Sequence, residues 1–208
     1  MRTAVFLDRD GTINAMVYRP ELNMLDSPGN PDEFELLDGA GQAIRLINKM
    51  GYLAIVISNQ PGIAKGKFTP DLLRATTDRM HFMLAQAGAR LDAVYYCLHH
   101  PDYGSGNYRL VCDCRKPKPG LLLRAARDWD INLASSYFIG DTVTDVLAGY
   151  SAGSMTCFLT TYKSYPCGDP VTQGIWPNYI ASNLLKAVDI IRREKAEPIA
   201  MAARYSGR

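Results

Sequence analysis

Two carboxylates one residue apart, Asp8 and Asp10, stand where an apolar run ends: Val5-Phe6-Leu7-Asp8-Arg9-Asp10-Gly11-Thr12. A continuous apolar segment marks a buried parallel strand, and open α/β sheets bind ligands outside the carboxyl ends of such strands. In extended chain, side chains one residue apart point to the same face, so both acids can converge on one cation or one substrate. Gly11 then lets the backbone turn sharply and approach a ligand. The same residues also read as an ordinary Asp-Gly turn without chemistry. What decides between the two is what the other strand ends carry.

Three further signals follow in chain order. The apolar run Tyr52–Ile57 ends in Ser58-Asn59-Gln60-Pro61-Gly62, which taken alone is a turn signal. Arg115-Lys116-Pro117-Lys118-Pro119 offers two lysines ahead of a helix, and Tyr137-Phe138-Ile139 leads into a second acidic pair, Asp141 and Asp145. Carboxylates, a hydroxyl and a cation gathered at strand ends suit phosphoryl transfer, which asks a protein mainly for positioning and charge stabilisation. Several anions around a phosphate call for a hard cation, and Mg²⁺ often takes only one or two carboxylates besides substrate oxygen and water.

The chain has five cysteines, three of them between Cys97 and Cys114. In an intracellular enzyme such clustering suggests metal before disulfide. Cys97-x-His99, then twelve residues, then Cys112-x-Cys114 supplies three thiols and an imidazole, a donor set for tetrahedral Zn²⁺. His100 competes with His99 as the nitrogen ligand, and two unrelated cysteine pairs with a surface histidine is the plainer alternative. Cys157, inside an apolar run, reads as a small core residue. Cys167 has no evident role.

The elements that must position these groups alternate. At 208 residues one domain, residues 1–193, is the default, with a frayed tail over 194–208 where apolar periodicity ends. Helical patterns fall between Asp38 and Gly51, from Thr69-Pro70 to about Ala87, from Pro119-Gly120 to Trp129, up to about Ala152, and after a capping Ser182. Strands are expected at the N-terminus and at 52–57, 93–96, 137–139 and 155–159. Such alternation implies a Rossmann-like α/β fold, a parallel sheet with helices on both faces. Residues 13–37, rich in Pro, Asn, Gly and Asp, read as a flap over the acidic strand end, and 97–116 as an irregular zinc loop. Net charge is +2 with no basic block, which argues against nucleic acid and membrane surfaces. No apolar run approaches transmembrane length and no signal peptide is evident, so a cytoplasmic protein is expected.

Asp8-x-Asp10-Gly11-Thr12, Ser58, Lys116 and Asp141 with Asp145, in this order, resemble the motifs of the haloacid dehalogenase (HAD) superfamily. That resemblance implies a HAD-like fold and a phosphatase working through an aspartyl-phosphate. Asp8 would be the nucleophile and Asp10 the general acid, then base. Mg²⁺ would be held by the Asp8 carboxylate, the Asp10 main-chain carbonyl and Asp141, with Asp145 beside it. Ser58 and the Asn59 N–H would meet phosphate oxygens. Lys116, followed by Pro before a helix, matches the superfamily lysine, which leaves Lys118 as a solvated neighbour.

Cys97-x-His99-His100-Pro101 followed by Cys112-x-Cys114-Arg115-Lys116-Pro117 resembles one branch, which contains heptose-bisphosphate and histidinol-phosphate phosphatases. There the first histidine is the zinc ligand, hence His99, and the zinc is structural. The branch has no large cap domain, so the flap, the Gln60–Lys65 loop and the zinc loop would wall the pocket. Lys65 and Arg115 are expected to meet the distal end of a sugar bisphosphate, and Arg19 and Tyr18 of the flap could touch substrate. The twelve-residue span after His99 looks like the heptose bisphosphatases, whereas histidinol-phosphate phosphatases tend to a shorter one. The flap is longer than usual and lacks the branch's Gly-Tyr pairing, and Thr142 stands where a basic residue is common. The expected substrate is a small phosphate ester, the protein a monomer or weak homo-oligomer. A zinc-ribbon binding module is the non-enzymatic alternative, but it leaves Asp8, Asp10, Ser58, Lys116 and Asp141 without a purpose.

Overall fold

The structure, a computed structural model, describes residues 1–161 and 170–205. Cys167 lies outside them. Six parallel strands form the central sheet in the order β5-β4-β1-β6-β7-β8: β1 (Ala4–Leu7), β4 (Leu53–Asn59), β5 (Ala93–Cys97), β6 (Tyr137–Gly140), β7 (Met155–Leu159) and β8 (Tyr179–Ala181). From β1 the chain builds outward through β4 to β5, then returns across β1 to β6 and builds the other way. The carboxyl ends of β1 and β6 therefore flank the point where strand order reverses, the crevice in which such sheets bind ligands.

Burial on both faces explains why the strands read as unbroken apolar runs. On one face Val5, Leu7 and Val56 pack against α1 (Ala40–Lys49), α2 (Pro70–Gln86) and α5 (Leu184–Tyr205), through Ile44, Ile47, Met80, Leu84, Val188 and Ile191. On the other, Phe6, Ile55 and Ile57 pack against α3 (Gly120–Trp129) and α4 (Val143–Ala152), through Leu121, Leu122, Ala125 and Ala148. The period-2 alternation of β1 thus feeds two cores from one strand. Thr69 caps α2 by accepting from Leu72 N–H at 3.2 Å, with Pro70 at the first helical position.

Four local expectations change. The flap is not without structure: β2 (Val17–Arg19) and β3 (Met24–Asp26) pair antiparallel in its middle. Three-residue strands leave too short an alternation to be read as a period. β8 is a sixth strand beyond the five expected, because its Tyr179-Ile180-Ala181 is too short to stand out in sequence. The last helix is capped by Asn183 rather than Ser182, Asn183 Oδ1 accepting from Lys186 N–H at 3.0 Å. That helix also continues past Glu194 to Tyr205. Tyr137 and the Met50 carbonyl hold its residues Glu194 and Lys195.

Candidate active site

Asp8 follows β1 directly, and its N–H donates to the Ile139 carbonyl of β6 at 3.0 Å, which fixes it at the switch point. Gly11 has φ of +81°, and a Cβ there would lie 2.1 Å from Asp141 Oδ2. Only glycine satisfies both the backbone and that approach. Gly140 allows a similarly close approach by Asp145, whose carboxylate stands 2.4 Å from where a Cβ would be. Asp8, Asp141 and Asp145 consequently offer oxygens that all lie within 4.8 Å of one another.

One ammonium enters this group. Lys116 Nζ is buried and contacts Asp8 Oδ1 at 2.8 Å, Asp145 Oδ1 at 2.6 Å and the Ile57 carbonyl at 3.1 Å. Asp145 Oδ2 accepts from the N–H and hydroxyl of Thr142 at 2.9 and 2.6 Å, as the capping box of α4. Thr142 is thus committed to capping, a sufficient reason for a hydroxyl residue at that position. Asn59 holds the lysine from the other side. Its amide donates to the Lys116 carbonyl and accepts from the Lys116 N–H, both at 3.1 Å. Lys118 reaches outward to the exposed Asp113 at 3.0 Å.

Three carboxylates against one lysine leave the centre short of positive charge. Burial pushes the Asp8 carboxyl up to about 6; Lys116 opposes this, and Asp145 and Asp10 add to it. Asp141 is raised well above the carboxylate range by burial and by repulsion from Asp8 and Asp145. Burial works against the Lys116 ammonium, but Asp145 and Asp8 raise it above its ordinary value, so it stays charged. A hard divalent cation fits this donor set: it removes the repulsion and takes oxygen ligands.

Asp10 sits in a different environment. Arg9 Nε and Nη2, Asn14 Nδ2, Ser27 Oγ and Gln60 Nε2 all donate to its carboxylate, at 2.7 to 3.1 Å. Burial alone would raise its pKa, but Arg9 and the three neutral donors hold it below the usual range. Gln60 Nε2 also reaches Ser58 Oγ at 3.2 Å, so the hydroxyl after β4 and the second acid share one amide. Sequence reasoning missed Arg9, Asn14, Ser27 and Gln60. The available signal was Arg9, an arginine between two acids on a buried strand end, which must be paired to be tolerated there.

Cys97, His99, Cys112 and Cys114 converge. Sulfur–sulfur separations are 3.6, 3.4 and 3.2 Å, and His99 Nδ1 lies 3.8 and 3.3 Å from Cys97 and Cys114. Zn–S bonds near 2.3 Å in a tetrahedron put sulfurs roughly 3.7 Å apart, whereas a disulfide needs about 2.05 Å. The cluster has the first spacing, and these cysteines are free thiols. His100 turns away, its Nδ1 accepting from the N–H groups of Asp102 and Tyr103. The cluster is no separate module, because Cys114 runs straight into Arg115 and Lys116. Arg115 Nη1 donates to the His99 carbonyl at 3.3 Å. Lys65 lies over the Tyr103 ring, 5.6 Å from its centroid, and its ammonium is lowered by burial and by the charges of Lys67 and Arg115. Lys65 thus lies within electrostatic reach of both Lys67 and Arg115. Arg19 is engaged elsewhere: both its terminal nitrogens hold Glu33, at 2.8 and 2.5 Å, within the flap.

A family model for HAD-hydrolase-like proteins matches residues 113–187. D-glycero-β-D-manno-heptose-1,7-bisphosphate 7-phosphatase of Pasteurella multocida is 37% identical over 199 residues, covering 94% of this chain and 100% of that one. The enzyme of the same name from Escherichia coli K12 is 42% identical over 170 residues, covering 81% and 82%. The chain belongs to this family of HAD-like hydrolases. A crystal structure of D,D-heptose 1,7-bisphosphate phosphatase from B. bronchiseptica, complexed with magnesium and phosphate, superposes on the HAD-like fold described above. Its TM-score is 0.75 at 31% identity, covering 93% of this chain and 99% of that one. The zinc-ribbon alternative falls with these matches, which take in nearly the whole chain.

Proposed function

We propose that the protein removes the 7-phosphate of D-glycero-β-D-manno-heptose 1,7-bisphosphate through an aspartyl-phosphate on Asp8. The observation that carries this reading is the convergence of Asp8, Asp141, Asp145 and Lys116 at the switch point, in a chain 37% identical to a phosphatase of that name over its whole length.

Asp8 attacks phosphorus in line; its Oδ1 contact with Lys116 orients the carboxylate. The Asp8 and Asp141 carboxylates with the Asp10 carbonyl would hold Mg²⁺, which would supply charge neutralisation at the phosphate. Asp145 and Asn59 keep Lys116 in place from opposite sides. Ser58 and the Asn59 N–H receive phosphate oxygens. Asp10 protonates the leaving oxygen of the sugar, then takes the proton of the water that hydrolyses the intermediate. It is ionised in its present ring of donors, and an arriving phosphate dianion favours its protonated form. Lys65 and Arg115 bind the distal phosphate, where hydrogen bonds to charged groups are each worth about 1.5–3 kcal/mol.

Cys97, His99, Cys112 and Cys114 would hold a structural Zn²⁺, which would fix the loop carrying Arg115. No helix among the described residues is long and apolar enough to cross a membrane. The test is phosphate release from the heptose bisphosphate, from the corresponding 7-monophosphate and from histidinol phosphate. The bisphosphate should have the highest kcat/KM, and a clear preference for histidinol phosphate would overturn the assignment.

A further inference from the structure

The paired strands of the flap supply one of the four side chains around Asp10, through the residue that follows β3. Arg9 and Asn14 belong to the turn after β1, and Gln60 follows β4, so all three are fixed to the sheet. Ser27 directly follows β3 of the flap, and its hydroxyl donates to Asp10 Oδ2 at 2.9 Å. Two ion pairs determine where that hydroxyl sits. Asp26, the residue before Ser27, pairs with Lys67 of the loop after β4, and so clasps the flap to the sheet side. Arg19 on β2 closes on Glu33, whose Oε2 also accepts from Gly29 N–H at 2.8 Å, and so braces the flap on both sides of Ser27.

Ser27 differs from its neighbours in chemistry as well as in origin. Arg9 and the amide nitrogens of Asn14 and Gln60 can only donate. A hydroxyl both donates and accepts, so among the groups on Oδ2, which also takes Arg9 Nη2 and Gln60 Nε2, Ser27 alone can keep its contact when that oxygen carries the proton. The reaction proposed above requires Asp10 to carry a proton in one half and lack it in the other.

We propose that Ser27 is a positioning residue for Asp10, so that docking of the flap, clasped by Asp26 and Lys67, completes the acid–base group. This rests on the reading of Asp10 as the acid–base residue. The flap then has a second task beside walling the pocket: the group that protonates the leaving oxygen is fully oriented only when the flap is down.

The experiment is a double-mutant cycle on the full chain with Mg²⁺ and the heptose bisphosphate, following single-turnover phosphate release, kcat, KM and thermal stability. Ser27→Ala should lower kcat about tenfold, the scale of one lost hydrogen bond to a charged group. KM and Tm should stay near wild type, and Ser27→Thr, which keeps the hydroxyl, should restore the rate. In the Asp10→Asn background Ser27→Ala should have almost no further effect, because two residues acting as one unit are non-additive. A full Ser27→Ala loss in that background, or no loss in the wild type, would overturn the proposal. Asp10→Asn alone turning over at the wild-type rate would instead overturn the acid–base reading, and the inference with it.

Discussion

Magnesium should stabilise the protein more as pH rises, and the acidic centre sets the scale. Asp8 is buried, and its carboxyl moves from an ordinary 3.8 to about 6 in the metal-free fold. Below pH 3.8 both folded and unfolded chains hold that proton, and the shift has no effect on stability. Between about 4 and 6 the folded state binds the proton more tightly, so stability falls as pH rises. Above 6 both states are ionised, and the fold carries the whole penalty of about 3 kcal/mol. A cation held by Asp8 and Asp141 removes it. At a hundredfold excess over Kd the gain is about 2.7 kcal/mol, or roughly 5–10 °C in Tm for a chain of this length. At pH 5 the metal must displace the Asp8 proton. Its apparent affinity falls about tenfold, leaving about 1.4 kcal/mol and half the shift. Differential scanning fluorimetry with and without Mg²⁺ at pH 5 and 7.5 measures both. Asp8→Asn removes the repulsion, so its metal-free Tm at pH 7.5 should exceed that of wild type while turnover disappears. A Mg²⁺ shift independent of pH, together with an Asp8→Asn protein less stable than wild type, would refute the reasoning.

Arg115→Ala should lower kcat/KM more on the heptose bisphosphate than on its 7-monophosphate, because the lost contacts belong to the distal phosphate; equal losses in parallel assays would show otherwise. Freshly purified protein should carry one equivalent of zinc by elemental analysis, and Cys112→Ser should lower Tm, raise KM and lower kcat as the loop bearing Arg115 loosens. Asn59→Ala removes both hydrogen bonds to the Lys116 peptide. At about 1 kcal/mol each, that should cost roughly tenfold or more in kcat with modest change in KM, and steady-state kinetics against the wild type decide it.

The identity of the chemistry was legible in the sequence because its parts are local. An apolar run ending in Asp8-x-Asp10-Gly11 has to be a strand end with two acids, since burial on both faces removes the alternation that would otherwise mark the strand. Cys97-x-His99 and Cys112-x-Cys114 state a donor set in two three-residue pieces. Pro117 and Pro119 around Lys118 mark where a helix must begin. Tertiary structure alone decided which groups meet across large separations. Asp8 and Asp145 share Lys116 because β1 and β6 are neighbours at the point where strand order reverses, and no local pattern encodes neighbouring strands. The sequence assigns the Asn59 N–H to phosphate and says nothing of its side-chain amide, which clamps the Lys116 peptide 57 residues away. Arg19 was expected at the substrate too, and it braces the flap through Glu33. The ring around Asp10 draws on the β1 turn, the flap and the loop after β4. Its members are ordinary polar residues whose meaning comes from burial beside one carboxylate, a property of the folded chain that spacing along the sequence does not carry.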